Sequence, residues 1–148
     1  MSELRPLNRH EMAEAAQVFR TAFDERLPWL AGLHTPEEDR GYFEGPVFDE
    51  CTVWGAFDGG QMVGMVAFRS GWIDQLYVLP GHQGEGVGTS LLEVAKANET
   101  ELSVWTFQRN EGARRFYERH GFVAVEETDG SGNEEREPDV GYRWTVNH

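Results

Sequence analysis

The order of its predicted elements, ααβββαβαββ, assigns this chain to the α+β class, with a mixed β-sheet flanked by helices. Apolar residues recur at helical spacing near the N-terminus, and strand-like segments separated by turns occupy the middle of the chain. A strand–helix–strand unit between residues 72 and 108 is expected to pair its strands in parallel through a right-handed crossover. No repeat, linker or composition break divides the sequence, so a single domain over residues 1–148 is expected.

Two N-terminal helices are predicted from their start signals. Asn8 followed by Glu11 matches a capping box for the first helix. The apolar face of this helix is formed by Met12, Ala15, Ala16, Phe19 and Phe23. The segment Thr35–Glu38 combines an N-cap threonine, a proline at the first helical position and a glutamate at the box position. This second helix is predicted to be short and to end near Gly45-Pro46.

Three strands are expected to form an antiparallel meander in the middle of the chain. The segments 51–57 and 61–68 are joined by Asp58-Gly59-Gly60, a strong hairpin-turn signal. A second turn at Ser70-Gly71 leads into the third strand, over residues 72–79.

The second half of the chain alternates helices and strands. The helix after the third strand has its apolar residues at Val87, Leu91, Leu92 and Ala95. A strand over 101–108 precedes a helix that begins at the cap residue Asn110 and stops at Gly121. The last strands are predicted at 122–128 and 140–146, with a long acidic loop between them.

Composition and charge exclude several classes of function. No apolar run approaches the about 20 residues of a membrane span, and the N-terminus lacks the apolar region of a secretory signal. The single cysteine, Cys51, excludes an intrachain disulfide, so a cytoplasmic protein is expected. The formal net charge of −13 argues against a non-specific nucleic-acid binder and suits a cationic partner. The histidines lack metal-ligand spacing, so no metal site is expected.

A glycine-rich loop, LPGHQGEGVG, lies between the third strand and its helix and contains Gly84, Gly86 and Gly88. Backbone N–H groups converge at such a junction, and the helix dipole favours an anion there. A P-loop is excluded because no lysine follows until Lys96, and a dinucleotide fingerprint is excluded because the spacing is G-x-G-x-G. On these residues alone, an anion cradle and a flexible loop ahead of a helix both remain open.

Two blocks of the sequence resemble the GNAT superfamily of N-acetyltransferases. The first, LYVLPGHQGEGVGTSLLE, is similar to the acetyl-CoA-binding signature Q/R-x-x-G-x-G/A, with Gln83, Gly86 and Gly88 in register. The second, LSVWTFQRNEGARRFYERHGF, looks like the strand and helix that follow in the family. The order of elements resembles the family's own, so the resemblance covers nearly the whole chain. It implies direct transfer of an acetyl group from acetyl-CoA to a primary amine in a ternary complex.

The resemblance implies that acetyl-CoA is bound as the acyl donor. Its pyrophosphate is expected on the backbone amides of the glycine loop, and its pantetheine arm along a third strand that splays from strand 101–108. The residues implied are Leu76, Tyr77, Val78, Gln83, Gly84, Glu85, Gly86, Val87, Gly88, Thr89, Ser90, Asn110, Ala113 and Phe116. Candidate partners of the outer phosphate are Lys96, Arg109, Arg114 and Arg115, with ordinary solvated helix charges as the alternative.

The resemblance also implies a general acid and leaves the general base open. Tyr117 matches the family's usual acid, because a phenol of pKa about 10 can protonate a leaving thiolate; simple packing beside Phe116 is the alternative. Asp74 is the candidate base, since strict alternation places it on the same face as Leu76 and Val78; a structural hydrogen bond is the alternative. No cysteine nucleophile is implied, because Cys51 begins a different strand.

The acceptor is expected beside the acidic loop, which in the family flanks the acceptor entrance together with the loop between the first two helices. Carboxylates at that position attract a protonated amine, so a small cationic amine or a peptide amine is expected. The candidate acceptor residues are Trp29, His34, Tyr42, Asn133, Glu134 and Glu135, with ordinary packing or a solvated charge run as the alternative. A homodimer is compatible with the exposed edges of such a sheet. A non-catalytic acyl-CoA-binding module on the same fold is the alternative function, and the missing lysine disfavours a nucleotide-binding domain.

Overall fold

The computed structural model describes residues 3–146, which form a mixed seven-stranded sheet in the order β1-β2-β3-β4-β5-β7-β6. The strands are β1 Glu3–Pro6, β2 Thr52–Asp58, β3 Gln61–Arg69, β4 Trp72–Val78, β5 Glu101–Phe107, β6 Val123–Glu127 and β7 Asp139–Thr145. The helices are α1 Met12–Arg26, α2 Pro36–Tyr42, α3 Phe48–Glu50, α4 Val87–Asn98 and α5 Glu111–Arg119. The predicted α+β class with a mixed sheet is confirmed. None of the helices within residues 3–146 has the length and apolar character needed to cross a bilayer.

The local signals in the sequence give the predicted elements. The Thr35 hydroxyl accepts a hydrogen bond from the Glu38 N–H at 3.1 Å, while the Glu38 carboxylate accepts from the Thr35 N–H at 2.7 Å. Glu11 accepts from the Asn8 N–H at 2.9 Å, ahead of a 3-10 turn that leads into α1. The β2–β3 hairpin turns through Gly59 and Gly60, both of which have positive φ, as a tight two-residue turn requires.

Two features of the N-terminal half differ from the sequence-based expectation. The predicted order has no strand before the first helix, whereas β1 pairs antiparallel with β2 at the sheet edge. A four-residue edge strand that ends in Pro6 has too little periodicity to be recognised. The predicted helix stop at Gly45-Pro46 is also wrong, because a π-helical turn over Phe43–Val47 carries the chain into α3. This wider turn accommodates Pro46, which has no N–H to donate.

A hydrophobic core lies on each face of the sheet. α4 and α5 cover one face, where Leu91, Leu92 and Tyr142 are completely buried, and α1 covers the other, where Met12 and Met65 are completely buried. Every residue of β3 from position 62 to position 68 is buried, as expected for a strand covered on both sides. β3 is therefore the centre of the packing, and β4 lies directly beside it.

The sheet divides between β4 and β5. These parallel strands pair at a single position, Trp72 with Ser103. Beyond it, β4 stays paired to β3 as far as Val78, while β5 stays paired to β7 along its whole length. The predicted parallel crossover is confirmed, and so is the predicted divergence of the two strands.

A bulge in β4 changes the orientation of Asp74. Ala67 of β3 is opposite Gln75 and the next β3 residue is opposite Ile73, so Asp74 is an extra residue in β4. Ile73, Leu76 and Val78 pack with the core beneath α4 and α5. Asp74 instead accepts a hydrogen bond from Cys51, which packs with the core beneath α1. The expectation that Asp74 shares a face with Leu76 and Val78 is therefore wrong, because the bulge interrupts the alternation.

Shortening Leu91 to alanine is expected to lower the free energy of unfolding by about 2–5 kcal/mol, because it leaves a cavity between α4 and β3. Leu91 is fully buried, and a Cβ atom added at Gly64 of β3 would lie 3.0 Å from its Cδ1 atom. Urea unfolding measures the change. Glu93→Ala on the exposed side of the same helix is the matched control and is expected to change stability by less than about 0.5 kcal/mol. Equal stabilities of the two variants would contradict this account of the core.

Candidate active site

The gap between β4 and β5 opens into a cavity of about 490 Å³. α1, both strands, the glycine loop and α5 all contribute to its lining. The predicted site residues that line it are Asp74, Leu76, Tyr77, Val78, Gln83, Gly84, Gly86, Gly88, Thr89, Asn110, Ala113, Phe116 and Tyr117. Three other predicted donor residues lie outside this lining: Val87 is buried in the core, Glu85 contacts His82, and Ser90 is exposed.

The side of β4 that faces the gap has backbone groups that β3 does not use. Leu79 N–H donates to Val63 C=O at 2.8 Å, and bonded and non-bonded pairs alternate along an antiparallel ladder. Tyr77 is therefore the next residue whose backbone bonds to β3, and the N–H and C=O groups of Leu76 and Val78 point towards β5. Because β5 has diverged at this point, a ligand with peptide-like amides fits along this edge.

The three glycines of the loop have two different structural purposes. Gly84 and Gly86 each have φ of +84°, and a Cβ atom added to either would meet nothing within 4 Å, so the positive φ is what requires glycine there. At Gly88 the constraint is space, because an added Cβ atom would lie 3.3 Å from the Phe116 ring. Gly86 is the N-cap of α4, and the first N–H groups of the helix have no intrahelical acceptor. An anion is therefore favoured at this end of the cavity.

Gln83 joins the glycine loop to β4 and to α1. Its Nε2 atom donates to the Val78 carbonyl at 2.9 Å, and its Oε1 atom accepts from Nη2 of Arg26. The hydroxyl of Thr89 in the first turn of α4 is hydrogen-bonded to His120 Nε2 at 3.1 Å. Burial lowers the pKa of His120, and nearby Lys96 lowers it further, so its ring is neutral at neutral pH.

Tyr117 presents a protonated phenol to the cavity. Asn110 caps α5 by accepting from the Ala113 N–H at 3.2 Å, which fixes the start of the helix. Tyr117 is 6% exposed, packs against Phe122, and has a hydroxyl that forms no hydrogen bond within residues 3–146. Burial raises the pKa of Tyr117 well above its usual value, and nearby Tyr77 adds to the effect. The hydroxyl therefore keeps its proton at neutral pH and is free to donate it to a ligand.

Asp74 lies on the cavity lining next to Arg69 and Cys51. Its Oδ2 atom accepts from Arg69 Nε at 2.8 Å and from the Cys51 thiol at 3.4 Å. Burial raises the pKa of Cys51 to about 12, and the charge of Asp74 contributes. The thiol is therefore protonated at neutral pH and is a poor nucleophile. Burial raises the pKa of Tyr42, and the charge of the Asp74 carboxylate raises it further.

The acidic loop is held against the connection between α1 and α2. The indole N–H of Trp29 donates to Glu137 Oε1 at 2.9 Å, and the Arg109 guanidinium lies 3.8 Å from the centroid of the Trp29 ring. Glu137 is 5% exposed, and its second carboxylate oxygen has no hydrogen bond within residues 3–146. The Nη1 atom of Arg109 lies 3.8 Å from that oxygen, so the same arginine also pairs with the carboxylate charge.

Two further predicted acceptor residues contribute to this loop. Asn133 donates from Nδ2 to the Glu137 carbonyl at 2.8 Å and accepts from the Glu137 N–H at 3.2 Å, so its amide shapes the loop itself. The Nε2 atom of His34, in the connection between α1 and α2, lies 3.0 Å from Oε1 of Glu134 in the acidic loop. Glu134 raises the pKa of His34 through this hydrogen bond, partly opposed by burial, and Glu38 adds a smaller electrostatic effect. Trp29 and His34 thus contact the loop, whereas none of the six predicted acceptor residues lines the cavity.

The four cations expected near the outer phosphate are engaged elsewhere. Lys96 donates to the His120 carbonyl, Arg109 lies on Trp29, Arg114 donates to the Tyr142 hydroxyl, and Arg115 is paired with Glu111. The cavity is instead lined by residues that the sequence patterns do not single out as site residues: Phe23, Arg26, Trp105, Phe107, Gly112 and Arg119. The predicted apolar face of α1 ends at Phe23. The sequence signal for the α1 side of the cavity is the continuation of this face along the helix.

A split mixed sheet with a glycine loop at the end of its divergent strand defines an acetyltransferase architecture, and the comparisons agree. The model of the acetyltransferase (GNAT) domain matches residues 49–124, so the chain belongs to the GNAT family. An acetyltransferase from Thermus thermophilus has the same fold, with a TM-score of 0.77, 20% identity and coverage of 99% of this chain and 97% of that one. The PaiA N-acetyltransferase of Thermoplasma acidophilum was solved in complex with coenzyme A. It is similar to this chain with a TM-score of 0.73 and 19% identity, over 99% of both chains.

The sequence relatives are similar over part of their length. An uncharacterized N-acetyltransferase of Archaeoglobus fulgidus is 34% identical to this chain, over 51% of this chain and 61% of the relative. The chain spans about half the length of the curated relatives that it matches, between 46% and 61%. Within residues 3–146, no group of three or more His, Cys, Asp or Glu side chains is arranged to hold a metal ion.

Glu134→Gln is expected to lower the pKa of His34, because it removes the largest cause of the raised value. An NMR titration of the His34 ring measures this pKa, and Glu135→Gln is the control that should leave it unchanged. Since the folded pKa is raised, the contact stabilises the fold fully below the unfolded pKa of about 6.5 and is lost as pH rises through the folded value. The melting temperatures of wild type and Glu134→Gln should therefore differ in acid and converge in alkali. An unchanged His34 pKa in Glu134→Gln would contradict the assignment.

Proposed function

We propose that this chain catalyses the transfer of an acetyl group from acetyl-CoA to a primary amine, by direct transfer in a ternary complex. The divergence of β4 from β5 carries the proposal, because it turns the backbone groups of Leu76 and Val78 into a cavity that ends at an anion-favouring loop. Membership of the GNAT family and the coenzyme A complex of the PaiA neighbour support it.

The cavity suits a donor that is peptide-like in the middle and anionic at one end. The N–H and C=O groups of Leu76 would hold the pantetheine amides in the manner of an added strand, because the Val78 carbonyl already accepts from Gln83. The N–H groups from Gln83 to Thr89 would hold the diphosphate, where glycine leaves the backbone open to close approach. Acetyl-CoA supplies a thioester, which is an acyl group already activated for attack by an amine.

Two groups of the chain would act on the thioester. The Val78 N–H points towards the gap and is a donor for the carbonyl oxygen, which gains negative charge as the amine attacks. Tyr117 holds a proton on its hydroxyl and would donate it to the departing thiolate sulfur. Burial raises the pKa of Tyr117, which keeps the phenol protonated at neutral pH and makes it a weaker acid. The transfer would therefore rely on the same low-polarity cavity raising the basicity of the thiolate.

Asp74 is the group that would take the proton from the amine, directly or through a water molecule. Its Oδ2 atom is held by Arg69 and Cys51, which fixes the carboxylate at the cavity lining and leaves Oδ1 for this proton. The protonated thiol of Cys51 favours direct transfer over a pathway in which the enzyme itself is acylated.

The acceptor would be a cationic amine, either a small molecule or a peptide. The acidic loop lies outside the cavity lining, beside the connection between α1 and α2, and its exposed carboxylates would attract such an amine electrostatically. The rings of Phe23, Trp105 and Phe107 line the same cavity and suit an alkylammonium group, which aromatic faces attract.

The reaction is tested by free-thiol release from acetyl-CoA in the presence of polyamines, aminoglycosides, amino acids and peptide N-termini. Thiol release above background with one of these classes is the expected result and identifies the acceptor. Coenzyme A binding without thiol release for any amine would instead identify a non-catalytic acyl-CoA-binding module.

Tyr117→Phe is expected to lower kcat by about 100-fold or more, because the leaving thiolate loses its proton donor. Its Kd for coenzyme A, measured by calorimetry, should stay within about two-fold of wild type. Tyr142→Phe is the matched control, since it removes a tyrosine hydroxyl that is bonded to Glu118 and Arg114 and lies outside the cavity lining. Wild-type kcat in Tyr117→Phe would rule out the acid role.

The double variant Glu134→Gln/Glu135→Gln is expected to raise the KM of a cationic acceptor several-fold and to leave the affinity for acetyl-CoA nearly unchanged, because the loop loses its attraction for the amine. Steady-state kinetics at low ionic strength measure both, since salt screens exposed charges. Glu3→Gln/Glu126→Gln removes the same charge from exposed positions on β1 and β6 and should behave as wild type. An unchanged acceptor KM would disprove the role of the loop.

A further inference from the structure

We propose that Arg26, the last residue of α1, is the cation that binds the diphosphate of the acyl donor, in place of the lysine that the glycine loop lacks. This assignment rests on the proposed function, because it requires a coenzyme A-type donor at the loop. It adds a residue from a helix outside both sequence blocks that resemble the family.

Arg26 lies at the anion-favouring end of the cavity, between its two walls. It lines the cavity together with Gly84, Gly86 and Gly112, and its Nη2 atom donates to the side chain of Gln83. On the other wall it lies against the first turn of α5, where a Cβ atom added at Gly112 would overlap the Nη1 atom of Arg26. A side chain at position 112 would therefore displace the guanidinium from this place, and glycine leaves it there.

The contacts of Arg26 leave donors for a phosphate. A guanidinium has five N–H donors in a planar fork, and Arg26 uses Nη2 for Gln83 and Nε for Glu25, at 3.4 Å. Nη1 has no hydrogen bond within residues 3–146. Gln83 positions the group, because its Nε2 atom is held by the Val78 carbonyl and its Oε1 atom therefore faces Arg26. A guanidinium held in this way is suited to phosphate oxygens.

Electrostatics also favours a cation at this end. The chain has a formal net charge of −13, so a diphosphate approaches an overall repulsive protein. The loop amides are neutral donors, and Lys96 of α4 and the arginines of the first half of α5 do not line the cavity. Arg119 also lines the cavity, but it has no contact with the glycine loop among the interactions of residues 3–146, whereas Arg26 touches it through Gln83.

Calorimetry with coenzyme A and with pantetheine, which lacks phosphate, tests the assignment. Arg26→Ala is expected to weaken coenzyme A binding by about ten-fold or more and to leave pantetheine binding unchanged. The loss should shrink as the ionic strength rises, because salt screens the charge. Arg40→Ala removes an exposed arginine from α2, outside the cavity, and should bind coenzyme A as wild type does. Arg26→Gln, which keeps a long polar side chain without the charge, should behave as Arg26→Ala and carries the test if that variant unfolds.

The failures are distinguishable. If wild type binds no coenzyme A, the proposed function itself is overturned. If wild type binds it and the neutral Arg26 variants bind it equally tightly, only the Arg26 assignment is overturned. An equal loss of affinity for coenzyme A and for pantetheine would show that Arg26 has a structural role, and this result also overturns the assignment. A ten-fold loss in Arg119→Ala with none in Arg26→Ala would transfer the role to Arg119.

Discussion

The site depends on the point at which β4 and β5 stop pairing. Each strand keeps its other neighbour, so the sheet stays anchored to β3 on one side and to β7 on the other while the ladder between them ends after one pair. The N–H and C=O groups of Leu76 and the N–H of Val78 then face the gap, while the Val78 carbonyl accepts from Gln83. Backbone groups that lose a strand partner require another partner. A single interruption in one ladder therefore produces both the cavity and the hydrogen-bonding edge within it.

The elements around the gap favour an anion at the glycine loop. The glycine loop and the first turn of α4 supply N–H groups at one end, and Arg26 adds a full positive charge there. The acidic loop lies outside the cavity lining, where Glu137 accepts from Trp29 and Glu134 contacts His34. Under the proposed function, the loop amides and Arg26 would attract the anionic donor, and the exposed glutamates of the acidic loop would attract a cationic acceptor.

The loop before β7 is ordered by its own polar groups. Asn133 bonds to both backbone groups of Glu137, and the Glu137 carboxylate in turn accepts from Trp29. A buried carboxylate is costly unless it is hydrogen-bonded or paired, so these contacts hold the loop in a defined position. The exposed glutamates of the same loop are thereby presented at a fixed place beside the connection between α1 and α2.

Features that short-range chemistry controls could be predicted from the amino-acid sequence. Caps, turn glycines and hydrophobic periodicity predicted the helices, the β2–β3 hairpin, the crossover unit and the glycine loop, because each depends on residues a few positions apart. The remaining features depend on contacts between distant segments. The bulge at Asp74 follows from the register between β3 and β4, and the short strand β1 exists only because β2 offers an edge. Arg26 and Trp105 become cavity residues because α1 and β5 meet at the gap, a contact between segments far apart in the chain that no local pattern encodes.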